Sequence, residues 1–340
     1  MRATPVLSIL LACLALAACA GTSGPRPEMT LAGPQELLAD TQMRSGRPDL
    51  ALLAYDRALK SSPGQPGLVL KRARALLGLG KGQEALAAAD GAIAGLNGQD
   101  SPLLAGALQI RGEALSALDR GREAVEPLTR AVALEPDSWR AKSLLGMALQ
   151  SQGRHQEAAE QYRAALGPQC QGRIARLPEE RRREVRAELA NNLGVALVLA
   201  GDLPGGEVIF RKARERGLGT ERVCNNLGLL LVRLGRPDEA LEAFRAGGDE
   251  ARALNNLGWA LLLRGERGKA RTLFEKALEA APAYYETAGE NLRRAALAEG
   301  RDKPARGAFP GAAGVSITVP ERDLGLTLLG PAAAPASTVQ

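Results

Sequence analysis

The chain has 340 residues, of which 45% are hydrophobic, 24% charged and only 3% aromatic, with a formal net charge of +6. So few large rings exclude an ordinary β-sandwich core, and the abundance of Ala, Leu, Arg and Glu favours helices. The modest positive charge comes without a dense basic patch interleaved with aromatics, so no nucleic-acid partner is expected. A single histidine, His155, leaves catalytic triads and His-based metal sites almost without candidates.

In chain order, Arg2 precedes an apolar run from Val6 to Ala18 that only Ser8 interrupts. That run is too short to span a bilayer and suits the core of a secretory signal peptide. It ends in Leu16-Ala17-Ala18-Cys19, which resembles a bacterial lipobox. The resemblance implies cleavage before Cys19, lipidation of its thiol and acylation of the new amino terminus. An ordinary signal peptide, with Cys19 incidental, is the alternative. Ala20, rather than Asp, follows the cysteine; by resemblance to enteric lipoproteins this favours the outer membrane, facing the periplasm. Residues 1–18 are thus expected as signal peptide and 19–34, rich in Gly and Pro, as a flexible tether.

From residue 35 to 282 one pattern recurs: Leu-Gly, a Leu three residues on, a Gly turn, then Ala, an aromatic or Leu, and Ala. Its clearest copies are Leu193-Gly194 with Gly201, Phe210 and Ala213; Leu227-Gly228 with Gly235, Ala240 and Phe244; and Leu257-Gly258 with Gly265, Ala270 and Phe274. Turn positions 46, 80, 119, 153, 201, 235 and 265 are separated by 34, 39, 34, 48, 34 and 30 residues. This spacing resembles the tetratricopeptide repeat (TPR) family. The resemblance implies an all-α superhelical solenoid of about seven helix-turn-helix repeats. Each copy reads as two amphipathic helices whose apolar faces become buried only by stacking. Small residues at the helix crossing admit a close approach, and Pro63, Pro136 and Pro282 stop second helices.

The 39- and 48-residue intervals place insertions near 95–101 and 167–178. Glu179 to Glu188 reads as the solvated, backward-extended start of a first helix. Asp119 replaces a turn glycine, and Gly206 replaces an alanine. Residues 283–298 form an expected capping helix. The tail 299–340 reads as disordered by composition, although Val315 to Val319 alternates like a strand.

By the family resemblance, first helices line a concave groove that takes protein segments. On the last three first helices, positions at i, i+4 and i+7 share a face: Asn191, Val195 and Val198; Asn225, Leu229 and Val232; Asn255, Trp259 and Leu262. An amide both donates and accepts, so Asn191, Asn225 and Asn255 are candidates for pairing with a ligand backbone above an apolar floor. Asn192, Asn226 and Asn256 are assigned to the scaffold. Trp259 either anchors a partner or packs between copies. Cys170 and Cys224 either form a disulfide, which an oxidising compartment permits, or stay unpaired. No catalytic residue, metal site or cofactor is expected, and the chain does not read as an enzyme.

The lipobox, the repeat array and the closing Tyr284–Leu292 segment together resemble the TPR lipoproteins of tight-adherence (Flp/Tad-type) pilus systems. The resemblance implies a membrane-tethered scaffold whose protein partner is an outer-membrane secretin or a pilus-assembly protein. Peptidoglycan synthesis, outer-membrane protein assembly, and a chaperone role for exported subunits are the alternatives.

Overall fold

The computed structural model describes residues 32–96, 100–281, 283 and 285–299. Cys19 and its leader, Pro282, Tyr284 and the Val315–Val319 run lie outside the described residues. Sixteen helices and no strand occur among those residues, and none of the helices is long and apolar enough to cross a membrane.

Two compact units meet in sequence at Leu79 and Gly80. The first holds α1 (Ala32–Arg44), α2 (Pro48–Ser61) and α3 (Pro66–Gly78). The second starts with α4 (Gly82–Gly95), α5 (Pro102–Ala117), α6 (Gly121–Leu134), α7 (Trp139–Gln150) and α8 (His155–Leu166). It continues with α9 (Pro168–Ala175), α10 (Glu179–Leu199), α11 (Leu203–Glu215), α12 (Glu221–Arg233) and α13 (Pro237–Gly247). It closes with α14 (Glu250–Leu263), α15 (Arg267–Ala280) and α16 (Glu286–Glu299).

Local chemistry sets these boundaries. Proline opens α2, α3, α5, α9 and α13, where a missing N–H costs nothing. Ser101, Ser138, Asp202, Thr220 and Asp249 cap first turns with side-chain oxygens, as in Asp249 Oδ1 accepting from Arg252 N at 2.8 Å. Between paired helices, a residue in the left-handed region reverses the chain. Gly201, Gly235 and Gly265 have φ of 92, 78 and 84°, and Asp119 takes the same role at 58°. Each such turn closes with a bond spanning five residues, for example Arg236 N to Leu231 O at 2.9 Å, which satisfies a helix-end carbonyl.

Within the second unit the pairs α5–α6, α7–α8, α10–α11, α12–α13 and α14–α15 pack as hairpins. Each second helix also packs on the next first helix, and neighbouring first helices touch. The hairpin crossings explain the Leu-Gly signature. A Cβ on Gly194, Gly228 or Gly258 would lie 2.5, 2.5 and 2.8 Å from the rings of Phe210, Phe244 and Phe274. Tyr162 fills the same place against Gly146, and Leu128 against Gly112. Glycine is present there because the ring needs the volume.

Two departures take definite form. The second insertion contains the short helix α9, whose buried Cys170 and Ile174 face α7, α8 and α10. The charged block is the first part of the 21-residue α10, with Arg181 and Glu184 paired at 2.8 Å.

Candidate partner-binding face

The apolar core of the last repeats is continuous. Val195 and Val198 of α10, Leu227 and Val232 of α12, Trp259 and Leu261 of α14 and Ala295 of α16 belong to one buried cluster, with Leu229 and Leu262 half-buried against it. The face predicted to line a groove is therefore mostly closed by contacts between adjacent first helices. Of its members, Leu229 and Leu262 keep partial exposure, whereas Val195 and Trp259 are buried.

The asparagines are used differently from the expected division. Asn226 Nδ2 donates to Asn191 Oδ1 at 2.7 Å, Asn256 Nδ2 to Asn225 Oδ1 at 3.2 Å, and Asn291 Nδ2 to Asn255 Oδ1 at 3.0 Å. Within a doublet, Asn191 Nδ2 reaches Asn192 Oδ1, and Asn255 Nδ2 reaches Asn256 Oδ1, each at 3.4 Å. Both sets thus share a buried ladder joining successive first helices, in two hydrogen-bonded runs: Asn192, Asn191 and Asn226, then Asn225, Asn256, Asn255 and Asn291. Asn191, Asn225 and Asn255, assigned from sequence to a ligand, have their carbonyls occupied by the next copy. An amide left unpaired at such depth would cost about 1–3 kcal/mol, so the ladder fixes the register of the stack.

Sequence reasoning missed Asn291. Its signal was Glu290-Asn291-Leu292, a degenerate echo of Asn255-Asn256-Leu257. Because glutamate stands at 290, no neighbouring amide donates to Asn291 Oδ1, which is buried without a partner among the described residues. Trp259 Nε1 is likewise buried with no acceptor among them. An indole N–H is a donor only, and at this depth no arriving group reaches it without displacing its neighbours.

Towards α7 and α5 the lining becomes polar. Ser143 and Gln150 of α7 and Gln109 of α5 are buried, and Arg140 bridges to both carboxylate oxygens of Glu113 at 3.0 and 2.9 Å. In the first unit the corresponding α1 positions are acidic. Asp40 accepts from Tyr55 Oη and Lys71 Nζ, both at 2.6 Å, and Glu36 accepts from Lys71 at 2.8 Å. Burial works to raise the Asp40 carboxyl, but the bonds from Lys71 and Tyr55 and the ammonium charge outweigh it and hold the group below its ordinary range.

Cys170 and Cys224 are buried and unpaired, so the disulfide alternative is not realised. Cys170 Sγ lies 3.6 Å from Lys142 Nζ, and Cys224 Sγ lies 3.7 Å from Gly219 O. Burial pushes both thiols up, which keeps them protonated and unreactive. Lys142, buried on α7, donates to Pro136 O at 2.5 Å. His155 opens α8, and the flanking Arg154 and Glu157 bind each other at 2.7 and 2.6 Å.

A match to a family of repeats agrees with this architecture. A tetratricopeptide repeat family profile matches residues 37–101, 111–173 and 225–285, together more than half of the chain. A tetratricopeptide repeat protein from Parabacteroides merdae is similar at 16% identity and TM-score 0.48, covering 78% of this chain and 98% of its own. A thermophilic TPR protein of Thermus thermophilus is similar at 22% identity and TM-score 0.43, over 54% of this chain and 90% of its own. MamA (41-end) of Desulfovibrio magneticus RS-1 gives 21% identity and TM-score 0.42, over 54% and 93%. With its paired helices, turn glycines and aromatic-on-glycine crossings, the chain belongs to the tetratricopeptide repeat family, whose members mediate protein–protein interactions.

Proposed function

We propose that this protein is a lipid-anchored scaffold of the periplasmic face of the outer membrane, held by Cys19, which binds a protein segment along the first helices of its last three copies. The working pathway is assembly or localisation of a Flp/Tad-type pilus machine, with the secretin or a pilus-assembly protein as partner. The lipobox-like Leu16–Cys19 supports the anchor. Two acyl chains hold a protein on a bilayer stably, and tethering raises the local concentration of a modest binding face for a membrane-embedded partner.

The observation that carries the binding face is the pair Leu229 and Leu262, which keep an exposed apolar edge over the buried Trp259. A segment laid there would supply apolar side chains to the two leucines. The anchoring asparagines would keep the face rigid instead of contacting the ligand.

In-cell crosslinking, followed by detergent extraction and mass spectrometry of co-purifying chains, tests the pathway. Recovery of a secretin and pilus-assembly proteins, lost in a Leu229→Ser/Leu262→Ser variant with unchanged helicity, is the expected result. Recovery of cell-wall synthases or barrel-assembly components would overturn the pilus assignment. Undiminished recovery with the double variant would overturn the binding face.

A further inference from the structure

The first helix pair exposes leucine where a solenoid end is expected to be polar. On α1, Pro34, Leu37, Leu38, Thr41 and Arg44 recur at three- and four-residue intervals along one exposed stripe. Leu37 and Leu38 are 64% and 44% exposed, and Leu53 on α2 is 56% exposed. Because α1 and α2 form an antiparallel hairpin, Arg57 and Lys60 at the end of α2 lie beside the Leu37 end of α1.

The charges around these leucines are unbalanced. Three of the four acids on α1 and α2 are taken by α3: Glu36 and Asp40 pair with Lys71, and Asp56 pairs with Arg72 at 2.6 Å. Only Asp49 remains. Arg44, Arg47, Arg57 and Lys60 are exposed, and none has a carboxylate in ion-pair range among the described residues. The hairpin thus offers apolar side chains set among four exposed cations, of which Arg44 also donates to Thr41 Oγ1 and acts on Asp40.

We propose that this face of the first helix pair rests on an anionic lipid surface. The inference rests on the anchored reading given above, because Cys19 is separated from α1 by only twelve residues, Ala20 to Leu31. Twelve residues can reach at most about 40 Å, so the lipid would keep the hairpin within reach of the head-group layer. Leu37 and Leu38 then enter the interface, and the four cations meet lipid phosphates, each adding to binding in a salt-dependent way. The consequence is an oriented first unit: the lipid fixes where the chain is, and the hairpin fixes which face of that unit meets the membrane.

The lipidated full chain, with Cys170 and Cys224 changed to Ala, is reconstituted into phosphatidylethanolamine–phosphatidylglycerol vesicles. Thr41→Cys carries an environment-sensitive fluorophore, and Lys276→Cys on α15 carries the same probe as a reference. The expected result is a blue-shifted emission at residue 41 alone. That shift should fall several-fold with Leu37→Ser/Leu38→Ser, with Arg44→Glu/Arg57→Glu, or when phosphatidylcholine replaces phosphatidylglycerol. A probe at 41 as aqueous as that at 276, on protein that floats with the vesicles, leaves the anchor standing and overturns the docked face. A blue shift that depends on protein concentration without vesicles overturns it in favour of self-association. Protein without acyl mass on Cys19 that fails to float overturns the anchored reading, and the docked face falls with it.

Discussion

Substituting Gly228 by alanine tests the claim that the Leu-Gly signature exists to admit a ring. Two effects oppose each other. Alanine in a helix interior is favoured over glycine by about 0.8–1.0 kcal/mol. Against that, the new methyl would sit 2.5 Å from Phe244 Cε1 and 2.6 Å from Cζ, far inside contact distance, with Phe244 fully buried. Overpacking of this kind costs about 1–3 kcal/mol, so the balance is a net loss of up to about 2 kcal/mol. Gly268→Ala, in the first turn of α15, is the control without a ring, because nothing lies within 4 Å of the added carbon there; it should be stabilising, by less than the interior value of about 1 kcal/mol. Phe244→Ala supplies the third corner of a cycle: alone it costs about 3–5 kcal/mol, but in its background Gly228→Ala should become favourable. Urea unfolding followed by far-UV circular dichroism, with hydrogen exchange to localise the change to α12 and α13, reads all four proteins. If Gly228→Ala stabilises as Gly268→Ala does, the ring is not what demands glycine, and the account of the crossing is wrong.

Other consequences can be checked alongside. Asn225→Ala removes the acceptor of Asn256 and should cost about 1–3 kcal/mol, lowering exchange protection in α12 and α14 together; an unchanged midpoint would return Asn225 to the role of a surface group. Glu290→Asn would place a donor beside the orphaned Asn291 Oδ1, against loss of the exposed Glu290–Arg294 pair, and should gain about 0.5–1 kcal/mol, seen as slower exchange in α16. Hydrogen bonds from Arg236 and Arg211 hold the Glu239 carboxyl down to about 2. Its folded pKa therefore lies below the unfolded value of about 4.3, and its contribution is present above that pH and lost as pH falls towards 2. Arg236→Gln should flatten this acid limb in a pH series of urea midpoints; an unchanged limb would remove the network from the pH response.

What was legible in the sequence was what repeats locally. The turn at Gly235 needs only its own positive φ, and Phe244 follows Gly228 at a fixed distance within one hairpin, so both patterns survive in a single chain. The asparagine roles depend on how one first helix is rotated against the next, which the spacing of 34 residues does not encode. Hence Asn191 and Asn192, one residue apart, were assigned to opposite faces, although both bind in the same buried ladder. Asn291 escaped because Glu290 interrupts the doublet, and α9 because its buried face amounts to Cys170 and Ile174 alone. Lys142 was hidden by type: an ammonium occupies a buried position and is satisfied by a backbone carbonyl, a partner that composition cannot reveal.

The ladder also changes where binding can reside. Side chains that hold successive helices in register cannot yield to a ligand without loosening the stack. Recognition is then left to groups the stack only partly consumes, namely the exposed edges of Leu229 and Leu262. A substitution at an asparagine should therefore lower stability first and binding through it, whereas one at Leu229 or Leu262 should lower binding by more than its loss of core packing accounts for. Those two signatures separate scaffold from recognition in a single set of variants.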